Sequence, residues 1–191
     1  MGQLVFQAAL GGQVNLAGPN TASTFTATLP AETGTVVTTG GTGQVSQPML
    51  ATGVAGTGPA FSATKSGSQT GISNATFQKV TFETEVFDTN NNFASSRFTP
   101  TVAGYYQINT VIDMGSTVTY GNSAIAKNGT AVIYGSGGTI SAAAELISVA
   151  NGIIYCNGST DYIEIQVYVV STSNVVYPGG ASFSGAMVRG A

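Results

Sequence analysis

The chain contains no histidine, no tryptophan and a single cysteine. Without histidine it lacks the commonest general base and metal ligand of neutral pH. The lone Cys156 can form no intrachain disulfide, and as a nucleophile it would have no imidazole to take its proton. It follows Ile153, Ile154 and Tyr155, the setting of a small buried hydrophobe. Charge is scarce too: ionised side chains make up 7% of residues, against about 25% in an average soluble domain. The five basic residues, Lys65, Lys79, Arg97, Lys127 and Arg189, are scattered, and the net charge is −3. That excludes the electrostatic footprint of a nucleic-acid binder. Long apolar runs are missing. The stretch from Ile140 to Cys156 is broken by Glu145 and Asn151, so membrane insertion is not expected. The opening segment has no basic n-region, and Gln3, Gln7, Gln13 and Asn15 interrupt its apolar residues. No signal peptide is expected there, which predicts synthesis in a cytosol.

What the chain does have is 26 glycines, abundant Ser, Thr, Asn and Val, and an ordinary 42% of apolar residues. This mixture favours strands and turns over helices. Aromatic and β-branched content argues against disorder. A surface with so few charges predicts a subunit that buries much of itself against neighbours.

Three segments follow from the pattern. Residues 1–40 read as a β-rich N-terminal attachment region. Val14 and Leu16 alternate with polar residues, Phe25, Ala27 and Leu29 alternate with threonines, Pro30 to Gly34 reads as a turn, and Val36-Val37 as a further strand. Such a piece is too small to bury a core alone. Residues 41–58, rich in Gly, Thr and Ala, read as a flexible linker. Residues 59–191 carry longer alternating strands. Val80, Phe82, Thr84 and Val86 share one face; Tyr106, Ile108, Thr110, Ile112 and Met114 another; Ile163, Ile165, Val167 and Val169 a third. Asn128-Gly129 between two apolar runs predicts a type I′ hairpin. Ala142 to Leu146 reads as strand sooner than as a helical turn, given its flanking Gly and Ile. The fold class expected is all-β, an antiparallel jelly-roll sandwich.

Ordered motifs in residues 59–191 resemble the globular head of complement C1q, within the C1q/tumour-necrosis-factor-like group. Phe82, Asp88 and Phe93 stand at the family's spacing; so do Phe98, Gly104 and Tyr106. The opening Pro59-Ala60-Phe61-Ser62-Ala63, the Lys127-Asn128-Gly129 turn and the closing Phe183-Ser184-Gly185-Ala186-Met187-Val188 also match. The chain departs from the pattern in a short Phe93–Phe98 spacer and in Ile108 and Thr110, which stand where aromatics usually follow the Tyr. The resemblance implies a homotrimer, with Phe82, Phe98, Gly104, Tyr106, Phe183 and Gly185 as structural core. No Gly-X-Y stalk precedes the head. Instead Thr26 to Val37 resembles short segments of bacteriophage tail-fibre and appendage proteins.

Motifs that could carry chemistry have simpler explanations. Ser62-x-x-Lys65 matches an acylating-hydrolase pattern but lies in an expected strand without partner motifs. Asp88, Asp113, Glu145, Asp161 and Glu164 are dispersed, not paired for glycoside cleavage. No EF-hand spacing supports calcium. Asn74, Asn128 and Asn157 open glycosylation triplets and read as turn residues. Gly135-Ser136-Gly137-Gly138 lacks the strand–loop–helix context of a phosphate cradle. The expectation is therefore a non-enzymatic trimeric phage fibre or spike protein located in the virion, with no catalytic residues, metal or cofactor. Its N-terminal region would join other virion proteins of tail or head, and its knob would bind host-surface carbohydrate or protein. Tyr120, Asn122, Asn174 and Tyr177, expected in loops at the far end, are the candidate binding residues. The alternatives are a virion decoration or assembly protein without a receptor role, and a cellular C1q-like binding module.

Overall fold

Alternation at period two builds almost all of the structure. A computed structural model describes residues 3–7, 13–17, 22, 58–115, 118–140, 145–171 and 175–191. Contacts divide the chain into two units, Met1–Ser46 and Gln47–Ala191. In the first, β1 (Gln3–Gln7) pairs antiparallel with β2 (Gln13–Ala17), Val5 opposite Asn15. The glutamines that break the apolar run in sequence are part of that hairpin. The strand expected at Phe25 to Leu29, the Pro30 turn, Val36-Val37 and nearly all of the linker lie outside the described residues.

The second unit holds β3 (Ala60–Thr64), β4 (Gln69–Thr70), β5 (Gln78–Lys79), β6 (Thr84–Asp88), β7 (Phe93–Ala94), β8 (Arg97–Phe98), β9 (Ala103–Met114), β10 (Val118–Lys127), β11 (Thr130–Tyr134), β12 (Leu146–Asn157), β13 (Ile163–Ser171) and β14 (Val175–Gly190). One sheet runs β12-β9-β14-β3-β6, with β4 on β14; the other runs β11-β10-β13-β8-β7, with β5 on β13. All these strand pairs are antiparallel. No α-helix occurs among the described residues.

Between the sheets, Phe61 stacks on Phe98 at 4.3 Å and on Phe93 at 5.1 Å, and meets the edge of Phe183 at 4.7 Å. Tyr106 packs on Phe98 and donates its hydroxyl to the Val102 carbonyl at 2.6 Å. Burial raises that phenol to about 12, with a smaller upward push from Cys156. Ile108, Ile112 and Met114 of β9 and Ile163, Ile165 and Val167 of β13 are fully buried, and Phe82 lies in the same cluster. A Cβ on Gly104 would lie 2.5 Å from the Arg189 carbonyl oxygen, and one on Gly185 2.7 Å from Ile108 Cδ1. Both glycines are set by close approach.

The segment expected as one strand from Val80 to Val86 is divided. Gln78–Lys79 pairs with β13 in one sheet, while Thr84–Asp88 pairs with β3 in the other. Val80 and Phe82 are buried where the chain crosses, and Val86 is 60% exposed. The buried Lys65 ammonium holds the crossing by donating to the Thr81 carbonyl, the Thr81 hydroxyl and Glu83 Oε1 at 3.0, 3.1 and 2.9 Å. Leu146 opens β12, and residues 141–144 lie outside the described residues.

Candidate functional site

Side chains on the outer face of an antiparallel sheet normally meet water and are polar. The outer face of β12 and β9 is different. Cross-strand register places Ile147 opposite Asp113, Val149 opposite Val111, Asn151 opposite Asn109, Ile153 opposite Gln107 and Tyr155 opposite Tyr105. Ile147, Val149 and Ile153 are 56, 45 and 58% exposed, and Val188 at the end of β14 is 55% exposed. The Tyr105 and Tyr155 rings touch at 5.4 Å between centroids. On the β14 row of the face, Ser182 and Ser184 stand beside Val111 and Asn109, and Arg189 stands beside Tyr105. Asp113 is its one carboxylate among these rows, 2% exposed, with Oδ1 unpartnered. Burial raises its pKa, and Glu145 adds to the rise.

The outer face of the other sheet carries a second feature. Tyr120 and Asn122 of β10 stand across from Val170 and Tyr168 of β13. With Phe77 and Tyr134 they line an open groove of about 570 Å³. Phe77 contacts Tyr168 at 5.3 Å and Tyr134 at 5.8 Å, and Tyr120 contacts Tyr168 at 6.1 Å. Asn122 is 6% exposed, and its Oδ1 has no hydrogen-bond partner.

The structure therefore separates the candidate binding residues. Tyr120 and Asn122 belong to a strand, not a loop, because β10 continues its pairing with β13 past Val118. Tyr177 also lies in a strand, opposite Asp113 on the outer face of the other sheet. Asn174 lies outside the described residues. Phe77, Tyr134 and Tyr168 join Tyr120 and Asn122 without having been singled out in the sequence. Alternation around Tyr168 and Val170 marks that face as outward, but nothing local marks Phe77.

The remaining motifs resolve into structure. Lys65 is engaged with Glu83, so Ser62-x-x-Lys65 presents no free amine beside the serine. Asp88 accepts the backbone N–H of Phe93 at 2.6 Å and that of Asn90 at 3.3 Å. Asp161 pairs with Lys127, and Glu164 with Arg97, each at 2.8 Å. Hydrogen bonds from Lys127, Asn128 and the Asn157 N–H lower the Asp161 pKa against the opposing effect of burial. No group of three or more His, Cys, Asp or Glu able to hold a metal occurs among the described residues. The glycine loop spends its amides internally: Gly135, Ser136 and Gly138 donate to the carbonyls of Ser123, Val149 and Gly121. Asn128 is a turn residue, Asn74 forms an isolated bridge with Val169 and Asn157 ends β12; the side-chain oxygens of all three accept backbone N–H groups.

No family model matches the chain, and no curated protein matches it. Solved structures do. The globular domain of zebrafish complement 1qA is 19% identical with a TM-score of 0.52, over 70% of this chain and 99% of that one. Murine APRIL is 8% identical with a TM-score of 0.54, over 69% and 99%. An Eiger TNF from S. frugiperda is 8% identical with a TM-score of 0.53, over 70% and 92%. The fold is the C1q/TNF-like jelly roll.

Proposed function

We propose that this chain is the subunit of a homotrimeric, non-enzymatic virion appendage of tail or head, joined to its particle through the N-terminal region and binding the host surface with its jelly-roll knob. The observation that carries the trimer is the apolar outer face of β12 and β9, with Ile147, Val149 and Ile153 about half exposed. Large apolar side chains exposed along one sheet face, interrupted by the neutral Asn151, Asn109 and Gln107, mark an interaction face. Three copies around an axis cover it in a closed assembly. Likeness to a complement globular domain supports binding over catalysis. So does the local pairing of the acidic groups Asp88, Asp161 and Glu164. The phage role is supported by the resemblance of Thr26 to Val37 to tail-fibre segments.

The test uses purified protein as a competitor. Host cells preincubated with the full chain should adsorb fewer phage as its concentration rises, and labelled protein should decorate the cells directly. A chain starting at Gly56 should still compete but fail to join particles. Incorporation of the full chain with no competition at any concentration would establish the decoration or assembly role instead.

A further inference from the structure

We propose that the groove on the outer face of β10 and β13 is a saccharide site for one or two neutral sugar rings. This rests on the host-binding reading above and gives it a ligand class.

Four aromatic rings gather here from separate parts of the chain, Phe77, Tyr120, Tyr134 and Tyr168. The core between the sheets has its own aromatic cluster around Phe61 and Phe183, so these rings are not needed to fill it. Tyr134 is 61% exposed and Tyr120 43%. Such rings offer apolar faces to the C–H face of a pyranose and phenol hydroxyls to its rim. The Tyr120 ring is seated against Gly137, where a Cβ would lie 2.8 Å from its hydroxyl.

The second observation is Asn122. Its side chain lines the groove, is more than nine-tenths buried, and has a carbonyl oxygen with no partner. A buried acceptor left unmade costs stability, and such a group calls for a missing donor. An amide turned about its last bond presents that oxygen to a ligand hydroxyl.

Charge decides the class. Apart from the phenols, no lining residue is ionisable. A phosphate or sialic acid would find no cation, and a quaternary ammonium no carboxylate. The rings touch one another at centroid distances of 5.3–6.1 Å and are inclined at 49–67°, so they present faces in different directions, and the missing carboxylate, not ring geometry, argues against a cation. The groove's 570 Å³ lies within the range of about 300–1,000 Å³ usual for small-ligand sites.

The experiment uses the full chain carrying 3-fluorotyrosine, observed by fluorine NMR. The probes are the methyl glycosides of glucose, galactose, mannose and N-acetylglucosamine, the β1,4-linked disaccharides of glucose and N-acetylglucosamine, tetramethylammonium chloride and sodium phosphate. At least one sugar should shift the Tyr120, Tyr134 and Tyr168 signals with a Kd of about 1 mM or tighter. Tyr134→Ala and Asn122→Ala should each weaken binding by about tenfold or more with the fold retained. If either variant misfolds, shifts confined to those three tyrosines in the parent decide the location. The sugar that binds should also displace labelled protein from host cells, which identifies cell-surface polysaccharide as the source; binding without displacement leaves free oligosaccharide as the source. Shifts by tetramethylammonium alone, or no shift by any sugar, would overturn the proposal, as would sugar binding untouched by both folded variants. Cell binding that no sugar perturbs would leave the host-binding function standing with a protein receptor and end only the saccharide assignment.

Discussion

Burial pushes the Cys156 thiol up to about 11, with Lys127 pulling it down and Asp161 pushing it up. The side chain is fully enclosed between the sheets. Native protein at pH 8 should therefore leave a disulfide-exchange reagent unreacted, with one thiol per chain appearing on addition of denaturant. Rapid stoichiometric reaction of the native protein would contradict its placement. Glu83 behaves in the opposite sense. Burial would raise its pKa, but hydrogen bonds from Thr81, Lys65 and the Ser66 N–H, with the Lys65 charge, bring it from 4.5 to about 2. The sign follows: the stabilisation is complete above 4.5 and is lost as pH falls toward 2. Melting temperature should fall more steeply across that window in the parent than in Glu83→Gln; parallel slopes would contradict the linkage. Residues of this kind were unevenly legible in the sequence. Tyr106 and Phe183 stand on clear period-two strands. Phe77 sits alone between polar neighbours, and only the fold brings it to Tyr134 and Tyr168. Asn122 follows a glycine and looks like a turn residue until β13 is laid beside it.

At the scale of elements, the β10–β11 hairpin is the most local feature. Asn128 and Gly129 both have positive φ, 53° and 82°, as a type I′ turn demands. Asn128 Oδ1 also accepts the Tyr162 N–H at 2.9 Å, which ties the turn to the entry of β13. Gly129→Ala should cost about 1 kcal/mol or slightly more, read by chemical denaturation, with the fold preserved. An unchanged midpoint would argue against the left-handed backbone there. Elements that depend on one strand were readable, including the long alternations of β9 and β13. The division of Val80 to Val86 between two sheets was not, since alternation continues through the crossing and only pairing with strands distant in sequence, β13 at one end and β3 at the other, reveals it. For the same reason the sequence grouped Tyr120 with Tyr177, although the two lie on opposite outer faces of the sandwich.

For the whole molecule, low charge and the exposed apolar face are one fact seen twice. The sequence supplied the scarcity of charge, and the structure locates where it matters, along Ile147, Val149, Ile153 and Tyr155 of β12. Ile153→Arg adds a second cation near Arg189 on that face while leaving the buried side of the strand untouched. Its predicted effect is on assembly, with loss of the trimer and retention of strand content by circular dichroism. A trimer unaffected by this change would place the interface elsewhere. The most direct test of the account is the mass of the full chain by native mass spectrometry or sedimentation equilibrium at micromolar concentration. The account predicts a single species of three times 19.2 kDa. A persistent 19.2 kDa monomer would contradict it, because the apolar face of β12 and β9 would then stand open to water.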